Sequence, residues 1–207
     1  MHSHIPARNA REPFSVVLLI LLLVHFPVLL RAEILEIDLS PPGSGEVPGL
    51  SPANEIIPGL STGSGGENGT GIFFDSITRL LTLNLAYGSA FGFSDLTSPA
   101  FAWLLHGPSP IDETAPVLFN LQPLHAFAAD HSRGGIITGD IVLTSEQAMT
   151  LLSGLSYINI YTPANLGGEI RGQLVIVPEP QVWAILLGGV ASLGVVGRLR
   201  RRFASAR

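Results

Sequence analysis

The stretch Arg79-Leu80-Leu81-Thr82-Leu83-Asn84-Leu85-Ala86-Tyr87 decides the fold class. In an extended chain Leu81, Leu83 and Leu85 fall on one side, and Thr82 and Asn84 fall on the other. A period of two over this length describes a strand with one face in a core and the other toward water. Short runs of similar character are predicted as strands at residues 34–39, 72–74, 100–106, 117–121, 136–143, 155–161 and 169–176. Turn signals separate them, among them Asp75-Ser76, Gly107-Pro108-Ser109-Pro110, Gly134-Gly135 and the run from Pro163 through Gly168.

Residues 40–71 read differently. Pro41, Pro42, Pro48, Pro52 and Pro58 cannot donate to a ladder, so the segment is expected to be a long surface loop or edge. Its tip, residues 63–69, is expected to be flexible, and Asn68-Gly69-Thr70 to be a turn. One helix is predicted after Thr144. Thr144 with Gln147 three positions on makes a capping box, and Glu146 sits in the first turn where the helix dipole favours it. Ala148, Leu151 and Leu152 form its apolar stripe, and Gly154 ends it. Many short strands with one short helix predict an all-β fold, an antiparallel β-sandwich or Greek-key barrel.

Both ends of the 207-residue chain differ from this middle. Arg8 and Arg11 precede an apolar run over residues 14–30, ending near Arg31-Ala32, the layout of a signal peptide over residues 1–32. At the other end, Pro178-Glu179-Pro180 is followed by an apolar run over residues 182–197 and by Arg198, Arg200, Arg201 and Arg202. Such a run is short for a span, which takes about 20 residues, and the arginines after it stay on the cytoplasmic side. The order of motif, apolar helix and basic end over residues 178–207 resembles the PEP-CTERM sorting signal of Gram-negative bacteria. The resemblance implies recognition by a membrane-embedded exosortase, removal of the tail, and delivery to the cell surface or beyond. The expected layout is therefore a signal helix, one β-domain over residues 33–177, and a C-terminal transmembrane helix.

That domain of about 145 residues is long enough to bury a core. It carries fourteen Asp and Glu against Arg79, Arg133 and Arg171, a net charge of −11, and the chain has no lysine. A surface of that sign repels phosphate backbones, so no nucleic-acid partner is expected. Cysteine is absent, which removes disulfides, thiol catalysis and thiolate metal sites. There is no Asp-x-Asp-x-Asp-Gly calcium loop, no phosphate-cradling Gly-x-x-x-x-Gly-Lys loop, and no seryl nucleophile elbow is expected.

Four stretches share a further likeness. Ala102-Trp103-Leu104-Leu105-His106-Gly107-Pro108, residues 135–143, residues 151–162 and Gly167-Gly168-Glu169-Ile170-Arg171-Gly172-Gln173-Leu174 together resemble the CHRD domain. That family is named after repeats in chordin and is common in bacterial exported proteins. Its pattern near His106 is His-x-His-Gly, and its late strand reads Asn-Ile-His-Thr. Here Leu104 and Tyr161 occupy two of those histidine positions and His106 keeps the third. The full pattern is similar to the histidine-bearing sheet of copper/zinc superoxide dismutase.

A metal site would need several ligands converging. The candidates are His106, His125, Asp130 and His131, and they meet only if residues 122–133 fold back. No cofactor is expected. Glu169 and Arg171 lie two apart on one strand face, read as a recognition pair or as a structural pair that fixes the strand of Asn159 and Tyr161. The expected function is non-enzymatic. The chain reads as an exported surface or matrix protein acting in adhesion, with exopolysaccharide or a surface protein as partner. The alternative is a periplasmic or extracellular metal-binding, dismutase-like enzyme.

Overall fold

Ten strands join into one antiparallel sheet in the computed structural model, which describes residues 34–57, 59, 61–129 and 132–177. In chain order the strands are β1 (Ile34–Leu39), β2 (Gly65–Glu67), β3 (Ile72–Asp75), β4 (Leu80–Tyr87), β5 (Ala102–His106), β6 (Val117–Asn120), β7 (His125–Phe127), β8 (Gly135–Val142), β9 (Ser156–Thr162) and β10 (Asn165–Ile176). One α-helix, α1 (Ser145–Leu152), lies between β8 and β9. Both expected targeting segments, residues 1–32 and 178–207 with the Pro178-Glu179-Pro180 motif and Arg198, Arg200, Arg201 and Arg202, lie outside the described residues. Among the described residues no helix is long and apolar enough to cross a membrane.

The sheet runs β6-β5-β9-β10-β1-β3-β4-β8-β7, with β2 beside β4. Its edge strands β6 and β7 are neighbours in the chain, joined through the 3-10 turn Gln122–Leu124. So short a link brings the two edges side by side. The Leu121 amide donates to the Trp103 carbonyl of β5 at 2.8 Å, and His125 of β7 stacks on the Trp103 ring with centroids 3.6 Å apart. The result is a curled sheet, a half-barrel, where separate facing sheets were one of the two expectations.

Alternation fills the interior. Leu81, Leu83 and Leu85 of β4 are fully buried, and Ile37, Phe74, Leu105, Ile137, Ile158 and Ile170 reach the same core from six other strands. The face of β4 and β8 opposite the core is polar, where Thr82 donates to Asp140 at 2.7 Å. A one-residue slip of either strand would exchange these faces, which is why the apolar pattern fixes the register.

The helix starts as the sequence dictates. Thr144 accepts from the Gln147 amide at 3.2 Å, and the Gln147 side chain accepts from the Thr144 amide at 2.9 Å. Ala148 and Leu151 enter the core, whereas Leu152 is exposed and leaves the expected stripe. Gly154 follows in the left-handed conformation, φ +67°.

Residues 40–71 depart most from expectation. Leu50 is buried and bridges Gly65, and Ser51 bridges Arg171 of β10. The tip expected to be flexible contains β2, paired with Leu85, Ala86 and Tyr87. Gly65 is required by that approach, since a Cβ there would lie 2.7 Å from the Ala86 carbonyl oxygen. The prolines exclude a long regular strand without preventing a tethered coil.

Candidate functional site

The outer face of β5, β9 and β10 is polar yet buried. Register explains which side chains meet there. His106 lies opposite Tyr157, Leu104 opposite Asn159, and Ala102 opposite Tyr161. Across β9 and β10, Asn159 lies opposite Arg171 and Tyr157 opposite Gln173. These residues share one face because successive side chains in a strand alternate. Segment 49–57 packs over them. The Ser51 amide donates to the Arg171 carbonyl at 2.9 Å and Asn54 Nδ2 donates to the same oxygen at 3.0 Å.

A second loop, residues 107–116, is held by the same face. Arg171 donates to the carbonyls of Glu113 at 2.9 Å and Pro110 at 3.2 Å. Gln173 Nε2 donates to the carbonyls of Ser109 and Gly154, each at 2.9 Å. The Ala115 amide donates to the Tyr157 hydroxyl at 3.1 Å, and His106 Nδ1 donates to the Ala115 carbonyl at 2.9 Å. Loop carbonyls that would otherwise be buried without partners are thereby satisfied.

His106 is fixed on both nitrogens. With its proton on Nδ1, Nε2 is the acceptor for the Tyr161 hydroxyl at 3.0 Å. Its ring stacks on Tyr157 with centroids 4.8 Å apart. Burial, opposed by the bond to Ala115 and aided by the nearby Arg171 charge, leaves its pKa below the ordinary value. Burial pushes the Tyr161 phenol up to about 12.

Glu55 is the residue that sequence reading misses. It comes from the proline-rich segment, is buried at 7% exposure, and accepts from Asn159 Nδ2 at 3.3 Å. Burial raises its pKa to about 7, against the lowering effects of the Asn159 hydrogen bond and the Arg171 charge. No local signal marks it. Its burial follows from a packing of segment 49–57 on β10 that has no periodicity. Glu55, His106, Tyr157, Asn159, Tyr161 and Arg171 line one pocket of about 200 Å³.

Glu169 faces elsewhere. Its carboxylate accepts from Ser61 Oγ at 2.9 Å, the Thr97 amide at 2.5 Å, Thr162 Oγ1 at 2.5 Å and Asn165 Nδ2 at 3.0 Å. Burial pushes its pKa up, but these bonds outweigh it and hold the carboxyl below its ordinary value. Glu169 and Arg171 thus fix different loops and do not act on one group. Gly59-Leu60-Ser61-Thr62-Gly63 does have the Gly-x-Ser-x-Gly spacing, contrary to expectation. Ser61 lies outside any strand or helix, and its hydroxyl is bonded to Glu169, so the stretch is not a strand-to-helix elbow.

His125 is on the far side of the sheet from His106. It stacks on Trp103, which alternates to the core face of β5, and its Nε2 accepts from the Tyr87 hydroxyl at 2.8 Å. Trp103 Nε1 donates to that hydroxyl at 3.1 Å. Burial lowers the His125 pKa to about 4 and raises that of Tyr87. The structure therefore does not bring His106 and His125 together. Asp130 and His131 lie outside the described residues. Among the described residues no group of three or more His, Asp and Glu could hold a metal ion.

The family model of the CHRD domain matches residues 49–174. The chain belongs to the CHRD domain family. No curated protein and no solved structure matches it. The CHRD match spans the half-barrel from the bridge at Leu50 to β10, including both loop segments that cover the polar face. In this CHRD domain the positions read as family histidines, 104, 106 and 161, lie on one face of adjacent strands. Leucine at 104 and a phenol at 161 supply no imidazole, and Tyr161 bonds the histidine that remains.

Proposed function

We propose that this CHRD-domain chain is an exported, non-enzymatic protein of the cell surface or extracellular matrix, acting in adhesion with exopolysaccharide or a surface protein. Delivery would run through the N-terminal signal over residues 1–32 and a PEP-CTERM tail processed by an exosortase. The observation that carries the non-enzymatic part is the state of His106. Both its nitrogens are committed inside the protein, Nδ1 to Ala115 and Nε2 to Tyr161. A catalytic imidazole needs a nitrogen that can meet substrate, proton or metal. Loop-holding contacts from Arg171 and Gln173 further support a scaffold role for this face.

Fractionation of cells tests the sorting part. The native chain is expected to reach the surface fraction in a shortened form. A variant with Pro178, Glu179 and Pro180 replaced by alanine is expected to stay in the membrane at full length. Equal length and equal membrane retention for both chains would contradict it.

A further inference from the structure

Among the described residues five buried side-chain polar atoms have no hydrogen-bond partner, and three of the five belong to residues lining the same pocket: Glu55 Oε1, Asn159 Oδ1 and Arg171 Nε. Their residues are 7%, 3% and 1% exposed. Buried polar groups are overwhelmingly paired in native proteins, so three orphans on one pocket point to a ligand that pairs them.

Their chemistry restricts that ligand. The Asn159 amide oxygen accepts and the Arg171 guanidinium nitrogen donates, while the Glu55 carboxyl, lifted by burial to about 7, accepts when ionised and also donates when it holds its proton. An ammonium ion would satisfy the acceptors but face the Arg171 charge. A carboxylate would satisfy Arg171 but face the Asn159 oxygen and, once Glu55 loses its proton above about pH 7, a like charge. A hydroxyl both donates and accepts, so neighbouring hydroxyls on a neutral ligand satisfy all three without meeting a like charge.

Size and rim narrow it further. The pocket of about 200 Å³ is smaller than the roughly 300–1,000 Å³ that hold drug-sized ligands, and larger than the ~30 Å³ share of one water. Ile57 lines it while 84% exposed, and Ile56 is beside it, also exposed. Apolar side chains at the mouth suit the C–H face of a ring whose hydroxyls reach the floor. Gly168 packs directly against the Asn159 side chain and the Glu55 carboxyl, since a Cβ there would run into both, and it holds them in place.

We infer that the pocket formed by Glu55, Asn159 and Arg171 binds one neutral sugar ring through its hydroxyl groups. This deepens the matrix reading above and rests on it only for the source of the sugar, because the test reads the pocket in purified protein and not the protein's location.

The experiment is a ¹H–¹⁵N NMR titration of the purified full chain. The probes are the methyl glycosides of glucose, galactose, mannose and N-acetylglucosamine, with glucuronate and methylammonium as charged comparators. At least one neutral glycoside is expected to shift the Arg171 Nε–H and Asn159 side-chain amide signals saturably. Asn159→Leu is expected to weaken that glycoside at least tenfold, as is the shape-conserving Glu55→Gln, while Asn84→Ala on the opposite polar face leaves it unchanged. Silence of both signals toward all four glycosides, with exchange to resident water alone, would overturn the inference. Tighter binding of glucuronate or methylammonium would overturn it equally.

Discussion

The Arg171 guanidinium carbon lies 3.7 Å from the centroid of the Tyr157 ring. The ring offers its negative face to the cation, and the guanidinium nitrogens NH1 and NH2 are left to bond the Glu113 and Pro110 carbonyls. One side chain thus ties β10, β9 and loop 107–116 together. Arg171→Leu leaves two loop carbonyls without donors, and a buried group left unpaired costs about 1–3 kcal/mol. The expected loss is about 3 kcal/mol in urea unfolding, with an unchanged far-ultraviolet spectrum under native conditions. Arg171→Lys keeps the charge but not the planar fork, and about half of that loss is expected.

Glu55 and His125 give stability opposite pH dependences. Burial raises Glu55 to about 7 from an ordinary 4.5, so the folded state holds its proton longer than the unfolded state. Its contribution is present at low pH and is lost as pH rises from 4.5 through about 7, by roughly 3 kcal/mol at most. Burial lowers His125 to about 4 from 6.5, so the unfolded state takes its proton first. That contribution is present above pH 6.5 and is lost as pH falls toward 4. The two slopes nearly cancel in the native chain between pH 4.5 and 6.5. Glu55→Gln is expected to expose a steady loss of stability on acidification, and His125→Gln the reverse. Urea midpoints measured across that range check both signs.

Glu169 is the acid-sensitive joint. Its folded pKa is depressed by bonds from Ser61, Thr97 and Thr162 that outweigh burial. The stabilisation is present above the ordinary carboxylate range and is lost as pH falls through the folded value. Glu169→Gln retains shape but weakens acceptors for four donors, with an expected loss of about 2 kcal/mol at neutral pH. Its acid-unfolding midpoint should move to higher pH, read by tryptophan fluorescence.

Trp103 closes the half-barrel. Trp103→Phe keeps an aromatic face against His125 but removes the donor to Tyr87, so about 1 kcal/mol is expected. Trp103→Ala opens a cavity between the two sheet edges, and about 3–5 kcal/mol is expected. Hydrogen exchange at β6 and β7 should accelerate in the alanine variant before exchange at β4 does. Uniform acceleration would show that the edges do not meet at this ring.

The sequence carries some of this plainly. Leu81, Leu83 and Leu85 reveal β4 because a half-buried strand imposes a period of two, and Thr144 with Gln147 reveals α1 because capping is local chemistry. Other parts have no local signature. The three residues of β7 are too few to alternate, and their strand character comes from pairing with β8. Gly65 and Gly66 resemble a flexible tip because glycine signals freedom in isolation, yet here it admits a close neighbour. The polar face is half legible. His106, Asn159, Tyr161 and Arg171 stand out through the family pattern, whereas Glu55 enters from a coil whose burial depends on residues 104 to 117 positions away, Asn159 at the near end. Glu169 and Arg171 have the two-residue spacing of one strand face, but Glu169 falls within the irregularity between Asn165 and Ile170 and bonds other loops.

Metal analysis of the purified full chain bears most directly on the non-enzymatic reading. With His106 committed on both nitrogens and with Leu104 and Tyr161 beside it, copper and zinc are expected well below one equivalent, and His106→Ala is expected to leave that content unchanged. One equivalent of copper or zinc in the native chain, lost in His106→Ala, would contradict the account and restore the dismutase-like alternative.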